Sequence, residues 1–306
     1  MLPIPSPSPG EVWAILPDRL RWLSGLASLS FDDATIATLQ RDAADLTKRA
    51  VAGAMVRDVA GLSVWQTGSV AVVPMFGAIT QRANWLTRYG LATSTEQFAS
   101  ANEVLAADPS VSAIVWDVDS PGGSVAGVPE AADRLFALRS KKRTVAVSNT
   151  LNASAAYWLS SAATEVVVTP SSLTGSIGVL VVHEDQSGAN AKLGLKITYI
   201  YAGKLKVDGN PDSPLSDTAS ASLQQTVNDY YSLFTKAVAR HRKTSESAVR
   251  SGYGEGDVLT ANRAVTARLA DRVETLSQVL ARLTAKPVSA GLASAMRRQQ
   301  LAAVSV

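Results

Sequence analysis

Short apolar runs alternate with stretches of helical period along this chain, the pattern of buried strands joined by helical crossovers. G-S-V-A-V-V-P-M-F-G-A-I-T at 68–80 predicts a buried strand ended by Gly77, and V-S-A-I-V-W-D-V-D at 111–119 predicts a second. T-V-A-V-S at 144–148 and residues 165–169 predict a third and fourth. A further pair is expected in I-G-V-L-V-V-H and I-T-Y-I-Y-A-G, with a helix near 189–193 between them. Helices are expected over 95–107, 128–139, from Ser154 onward, over 216–242, and once or twice more within 260–285. The order implies an α/β fold with a largely parallel sheet and right-handed connections.

The amino-terminal part reads differently. Residues 1–10 are rich in proline and serine, and E-V-W-A-I-L-P-D-R-L-R-W-L is expected to dock as an amphipathic helix through Trp13, Ile15, Leu20 and Leu23. Helical pattern continues over 32–54, and from Pro287 the chain is an Ala/Ser-rich tail.

Composition narrows the chemistry. With 306 residues, 46% hydrophobic and 18% charged, the chain can build a substantial core. Its 29 basic and 26 acidic residues are interspersed, and the clusters at 141–143 and 240–243 read as solvated helix ends rather than a nucleic-acid patch. Zero cysteines exclude disulfides, thiolate metal sites and cysteine nucleophiles. The first residues lack a basic region and are broken by prolines, so no signal peptide is expected. No apolar run reaches the ~18 residues of a membrane span, so the protein is expected to stay where it is made.

An oxygen or nitrogen nucleophile remains. Ser154 falls where a strand passes into an Ala-rich helix, a position whose free N–H groups favour negative charge on an oxygen. Read from this segment alone, the N-cap is the favoured reading. S-P-G-G at 120–123 ends a strand, where α/β folds place ligand crevices, and its glycines allow a backbone N–H to approach a substrate. A serine needs a base, and His183, His241, Lys204 and Lys206 all remain open on spacing alone. His241 reads as solvated between two arginines. Asp117 and Asp119 share a strand face without further metal-ligating partners in sequence, and G-Y-G-E-G-D at 252–257 follows a helix, which disfavours phosphate binding.

Taken together, V-A-V-V-P-M-F-G-A-I, D-S-P-G-G-S-V, A-S-A-A-Y-W-L-S-S-A-A, T-P-S-S-L-T-G-S-I-G-V and A-G-K-L-K-V-D-G-N-P resemble the signal peptide peptidase A family of serine proteases, with a weaker match in V-L-T-A-N-R-A-V-T-A-R-L-A-D. The resemblance implies a ClpP/crotonase-like fold of repeated β-β-α units. It implies Ser154 as nucleophile and Lys206 as general base. Gly122 or Gly123 and Ala155 would form an oxyanion hole, with Thr174 and Ser176 supporting the site. No metal or cofactor is implied. S-A-A-Y replaces the S-G-G-Y usual in cellular members, and with W-A-I-L-P-D-R-L and K-V-D-G-N-P this looks like the bacteriophage branch of the lambda minor capsid protein C type. That branch implies a head maturation protease, a homo-oligomer cutting scaffold, portal or capsid proteins in the host cytoplasm or the procapsid. A cytoplasmic peptide-degrading peptidase and a structural head protein with a vestigial protease fold are the rival readings. The expected organisation is a helical arm over 1–64, a protease domain over 65–285 and a flexible tail over 286–306.

Overall fold

The computed structural model describes residues 11–17, 19, 54–88 and 90–285. Its strands and helices in chain order are β1 (Trp13–Ile15), β2 (Met55–Val59), β3 (Leu62–Thr67), β4 (Val70–Phe76), β5 (Ala78–Thr80), α1 (Trp85–Arg88), β6 (Ala92–Ser94), α2 (Thr95–Ala107), β7 (Ala113–Ser120), β8 (Gly122–Ser124), α3 (Val128–Ala137), β9 (Arg143–Ala153) and α4 (Ala155–Ser161). Then come β10 (Glu165–Val168), β11 (Leu173–Gly175), α5 (Ser187–Lys192), α6 (Asp217–Arg242), α7 (Glu246–Gly252), β12 (Val258–Thr260), α8 (Ala261–Thr266), β13 (Arg272–Val273) and α9 (Leu276–Thr284).

The expected parallel centre is present: β4, β7 and β9 run parallel, and β9 takes β10 and β11 as further parallel neighbours. Both faces of this sheet are covered, which is why its strands read as continuous apolar runs. Along β7, Ile114, Trp116 and Val118 face a core shared with Phe98, Tyr157 and Phe234, whereas Ala113 and Val115 face a smaller core capped by Val279 of α9. The larger core also holds a polar pair: Trp116 Nε1 donates to Asn102 Oδ1 at 2.6 Å.

Gly77 ends β4 as expected, and for a steric reason. Its φ is +66° and a Cβ there would lie 2.0 Å from Leu91 O, so only glycine lets the chain leave the large sheet. Beyond it, β5 joins a second sheet in the order β1-β8-β5-β6.

Four expectations change. The helix expected from Glu11 onward is a strand at β1, because Leu16 precedes Pro17 and β8 offers β1 a pairing edge; Leu20, Leu23, the helix over 32–53 and the tail over 286–306 lie outside the described residues. Residues 55–64, expected in the helical arm, form with 65–67 a hairpin on Ala60 and Gly61, both at positive φ as a type I′ turn requires. The strands expected at 177–183 and 197–203 do not form; in those stretches Leu180 alone makes a bridge, to Trp13. Ile197, Tyr199, Ile200 and Tyr201 are exposed, and among the described residues they pair with no strand. Finally, the 141–143 cluster is engaged: Lys142 Nζ donates to Asp108 O and Val111 O, and Arg143 pairs with Glu165.

Candidate active site

Ser154 stands where a central strand of the main sheet passes into a helix. β9 ends at Ala153, and Ser154 turns the chain into α4 with φ 58° and ψ −120°. A non-glycine residue held there is strained, and such strain persists only where its surroundings over-determine it. Here the Ser154 N–H donates to Gly175 O at 2.7 Å, the Trp158 N–H donates to Ser154 O at 2.9 Å, and every residue of α4 is buried. The small Ala155 and Ala156 are what let a helix start be packed so deeply. The N-cap alternative fails, because the Ser154 side chain makes no capping hydrogen bond. Its Oγ lies 3.4 Å from Gly178 O instead.

The S-P-G-G segment runs against this turn. Gly122 has φ +95°, and a Cβ on it would lie 3.0 Å from Ala155 N and 2.2 Å from Ala14 O. A Cβ on Gly123 would lie 2.0 Å from Ile79 O. The two glycines divide their roles. The Gly122 N–H donates to Ser120 Oγ at 3.3 Å, and Ser120 Oγ donates to Gly77 O at 2.6 Å, so Gly122 serves close approach. Gly123 pairs with Ala14 of β1, between the Leu16 N–H bond to Pro121 O and the Val125 N–H bond to Val12 O. Antiparallel alternation makes Ala14 and Gly123 a hydrogen-bonded pair, with the Gly123 N–H directed at Ala14 O.

On the other side of Ser154, β11 lies beside the end of β9 with Thr174 opposite Asn152. Thr174 Oγ1 and Asn152 Oδ1 are buried and have no hydrogen-bond partner among the described residues. Ser176, at φ 52°, donates its N–H to Asp257 O at 2.7 Å and is buried.

The candidate bases are placed very differently. Lys204 and Lys206 lie in an exposed run of turns rather than at a strand end, and the Lys206 N–H donates to Gly203 O. Among the described residues no hydrogen bond or ion pair joins Lys206 to Ser154. His183 Nε2 is 3.0 Å from Asn210 O. His241, expected in solvent, is buried: it stacks on Phe136 and lies 2.8 Å from Ser161 Oγ. Burial first, then the neighbouring Arg240, Arg139 and Arg242, push it down to about 3, so this Ser–His pair is a neutral core contact. Asp117 is also buried and accepts from Asn149 Nδ2 at 3.0 Å. Burial pushes its carboxyl up to about 6, against the Asn149 hydrogen bond and with the charge of Asp119 adding to the rise. Among the described residues no group of three or more metal-ligating side chains gathers.

Residues 137–288 match the model of peptidase family S49. The chain carries a peptidase family S49 domain. That span contains Ser154, Thr174, Ser176 and Lys206, while Gly122 and Gly123 precede it. The chain is 36% identical over 204 residues to capsid assembly protease C of Escherichia phage lambda, covering 67% of this chain and 46% of that protein. It is 32% identical over 211 residues to head-tail preconnector protein GP5 of Enterobacteria phage P21, covering 69% and 42%. A putative protease of Methanocaldococcus jannaschii, MJ0651, is 34% identical over 176 residues, covering 58% and 56%. The chain thus spans about half the length of the curated relatives it matches. Among solved structures, a ClpP1 mutant from Listeria monocytogenes superposes with a TM-score of 0.42 at 15% identity, covering 68% of this chain and 94% of that one. The family expected from the motifs is the family found. Among the described residues no helix is long and apolar enough to cross a membrane.

Proposed function

We propose that this chain is a serine endopeptidase using a Ser154/Lys206 dyad. Ser154 Oγ attacks the scissile carbonyl while neutral Lys206 takes its proton, and the Gly123 and Ala155 N–H groups stabilise the oxyanion. Lys206 then returns the proton to the leaving amine, and water hydrolyses the acyl-serine. The observation that carries this reading is Ser154 held at positive φ, its side chain capping nothing, beside Gly122, which tolerates no side chain.

Lys206 has to reach that serine. The segment around it exposes Leu193, Leu195, Ile197, Ile200, Tyr201 and Leu205, with Ile200 99% exposed. Apolar surface of this extent marks a contact with another molecule. In this reading copies of the chain pack through the 181–213 arm in a homo-oligomer, and Lys206 is brought to Ser154 on assembly, where Thr174 Oγ1 and Ser176 can receive hydrogen bonds from it. The two phage relatives favour a phage or prophage head maturation protease whose substrates are scaffold, portal or capsid proteins, acting in the bacterial cytoplasm or procapsid.

A fluorophosphonate probe tests the nucleophile directly. Wild type should be labelled on Ser154 and a folded Ser154→Ala variant should not. A folded wild type that resists the probe yet binds procapsids would replace this reading with a structural head protein.

A further inference from the structure

The amino-terminal strand lies where a substrate would lie. Residues 12–16 run antiparallel to the S-P-G-G strand on one side and pair with Leu180 on the other: the Trp13 N–H donates to Leu180 O at 2.9 Å, and the Leu180 N–H donates to Trp13 O at 2.8 Å. Gly178, two residues before Leu180, accepts from Ser154 Oγ. The slot between these two backbones therefore passes over the nucleophile. An extended peptide added between two such edges is held by main-chain hydrogen bonds, whatever its sequence. Ala14 is fully buried in the slot and Ile15 is 3% exposed. The Ala14 carbonyl is aimed at the Gly123 N–H, and Ala14 O and Ala155 N both lie within 3.0 Å of the point a Gly122 Cβ would occupy. The carbonyl thus meets the Gly123 donor, one of the two that the reading above assigns to the oxyanion, with the Ala155 N–H on the same side of Gly122.

We propose that residues 12–16 are an internal inhibitor, a strand of the chain's own amino-terminal arm that fills the substrate slot with the Ala14 carbonyl at the oxyanion donors and must leave before another peptide enters. The proposal rests on Ser154 being the nucleophile. While Lys206 is away in the exposed arm the strand is seated and uncut. A tethered strand competes at an effective concentration of about millimolar, so releasing it should raise the reactivity of Ser154 by about tenfold or more.

The test uses the full-length chain with Ala14→Pro, which removes the N–H that Ala14 offers to Gly123 O and forbids a central ladder position. Two readouts are needed: the rate of fluorophosphonate labelling, and amide hydrogen exchange at Gly123 and Leu180. The expected result is faster labelling and faster exchange in Ala14→Pro, with labelling slowed again by the free peptide E-V-W-A-I-L-P but not by its scrambled form. Equal labelling and equal exchange in the two proteins would overturn the inhibitor. Cleavage between Ala14 and Ile15 in wild type would overturn it too, by making the strand a substrate. Exchange that rises in a protein that is never labelled would retain the seated strand and remove Ser154 as the nucleophile, so the two readings fail separately. If Ala14→Pro misfolds, Trp13→Gly weakens the same strand without a proline and is read in the same way.

Discussion

The two halves of the proposed dyad sit in opposite kinds of structure. Ser154 is 1% exposed, locked between β11 and a fully buried helix, at a backbone angle held by its hydrogen bond to Gly175 and by packing. Lys206 lies in a run of exposed turns, within a segment whose largest apolar residues face solvent. The contrast teaches that the surroundings of Ser154 are built by folding one chain, while the proposed base lies on a surface that this one chain leaves uncovered. In the proposed reading the nucleophile's half is built within the chain but covered by residues 12–16, and the proton acceptor is supplied on assembly.

The largest effect should come from the buried half. Ser154→Ala should lower peptide hydrolysis by about 10⁴-fold or more, as expected when a serine nucleophile is removed. Because the side chain caps nothing, the usual cap loss of about 0.5–2 kcal/mol should be absent and the urea midpoint should stay close to wild type. Retained turnover in the folded variant would eliminate Ser154.

The exposed half should matter nearly as much, and selectively. Lys206→Ala should reduce hydrolysis by about 10³-fold or more, on the scale of losing a positioned base, while Lys204→Ala should keep most of the rate. Comparable losses in both would mean that the arm contributes charge or fold rather than one base. His183→Ala should leave the rate intact; its loss there would move the base to His183.

These two halves also differ in how far they could be read from sequence. The parallel centre, the end of β4 at Gly77 and the placing of Ser154 at a strand-to-helix junction were legible, because each follows from local pattern: apolar runs, a glycine punctuating a strand, an alanine-rich helix start. The positive φ of Ser154 was not, since it is imposed by Gly175 across the sheet rather than by residues beside it in sequence. I-T-Y-I-Y reads as a strand for sound local reasons, yet among the described residues it pairs with no strand, and β propensity without a neighbour makes no sheet. His241 misled in the same way: flanked by arginines it looks solvated, but Phe136 and Ser161, far off in sequence, enclose it. The site of β1 was hidden for the converse reason, because a helical spacing of Trp13 and Ile15 said nothing of the vacant edge at β8.

The arm can be probed apart from its lysine. Ile200→Asp should leave the fold of the buried half unchanged, since Ile200 touches almost nothing within the chain, and should weaken self-association. Sedimentation should show a smaller species at the same protein concentration, and hydrolysis should fall in proportion and recover as the protein is concentrated. A variant that assembles normally and works normally would detach Ile200 from the interface and leave Lys206 to be brought in by motion within one chain.

The smallest effect concerns the cost of the buried half. Asp117 on β7 is buried, and its carboxyl, ordinarily near 3.8, is pushed up to about 6, chiefly by burial. Between those two values the unfolded chain has released a proton that the folded chain retains, so this group makes stability fall as pH rises toward 6 and leaves the full penalty in place above it. Asp117→Asn removes the ionisation and retains an oxygen to accept from Asn149 Nδ2. The variant should therefore match wild type near pH 4 and exceed it at pH 8, by on the order of 2–3 kcal/mol at most. Urea unfolding at the two pH values measures the difference of differences. Equal stabilities at pH 8 would mean that the carboxylate is solvated in the folded chain, and that the strand leading to the S-P-G-G turn is less tightly enclosed than the one carrying Ser154.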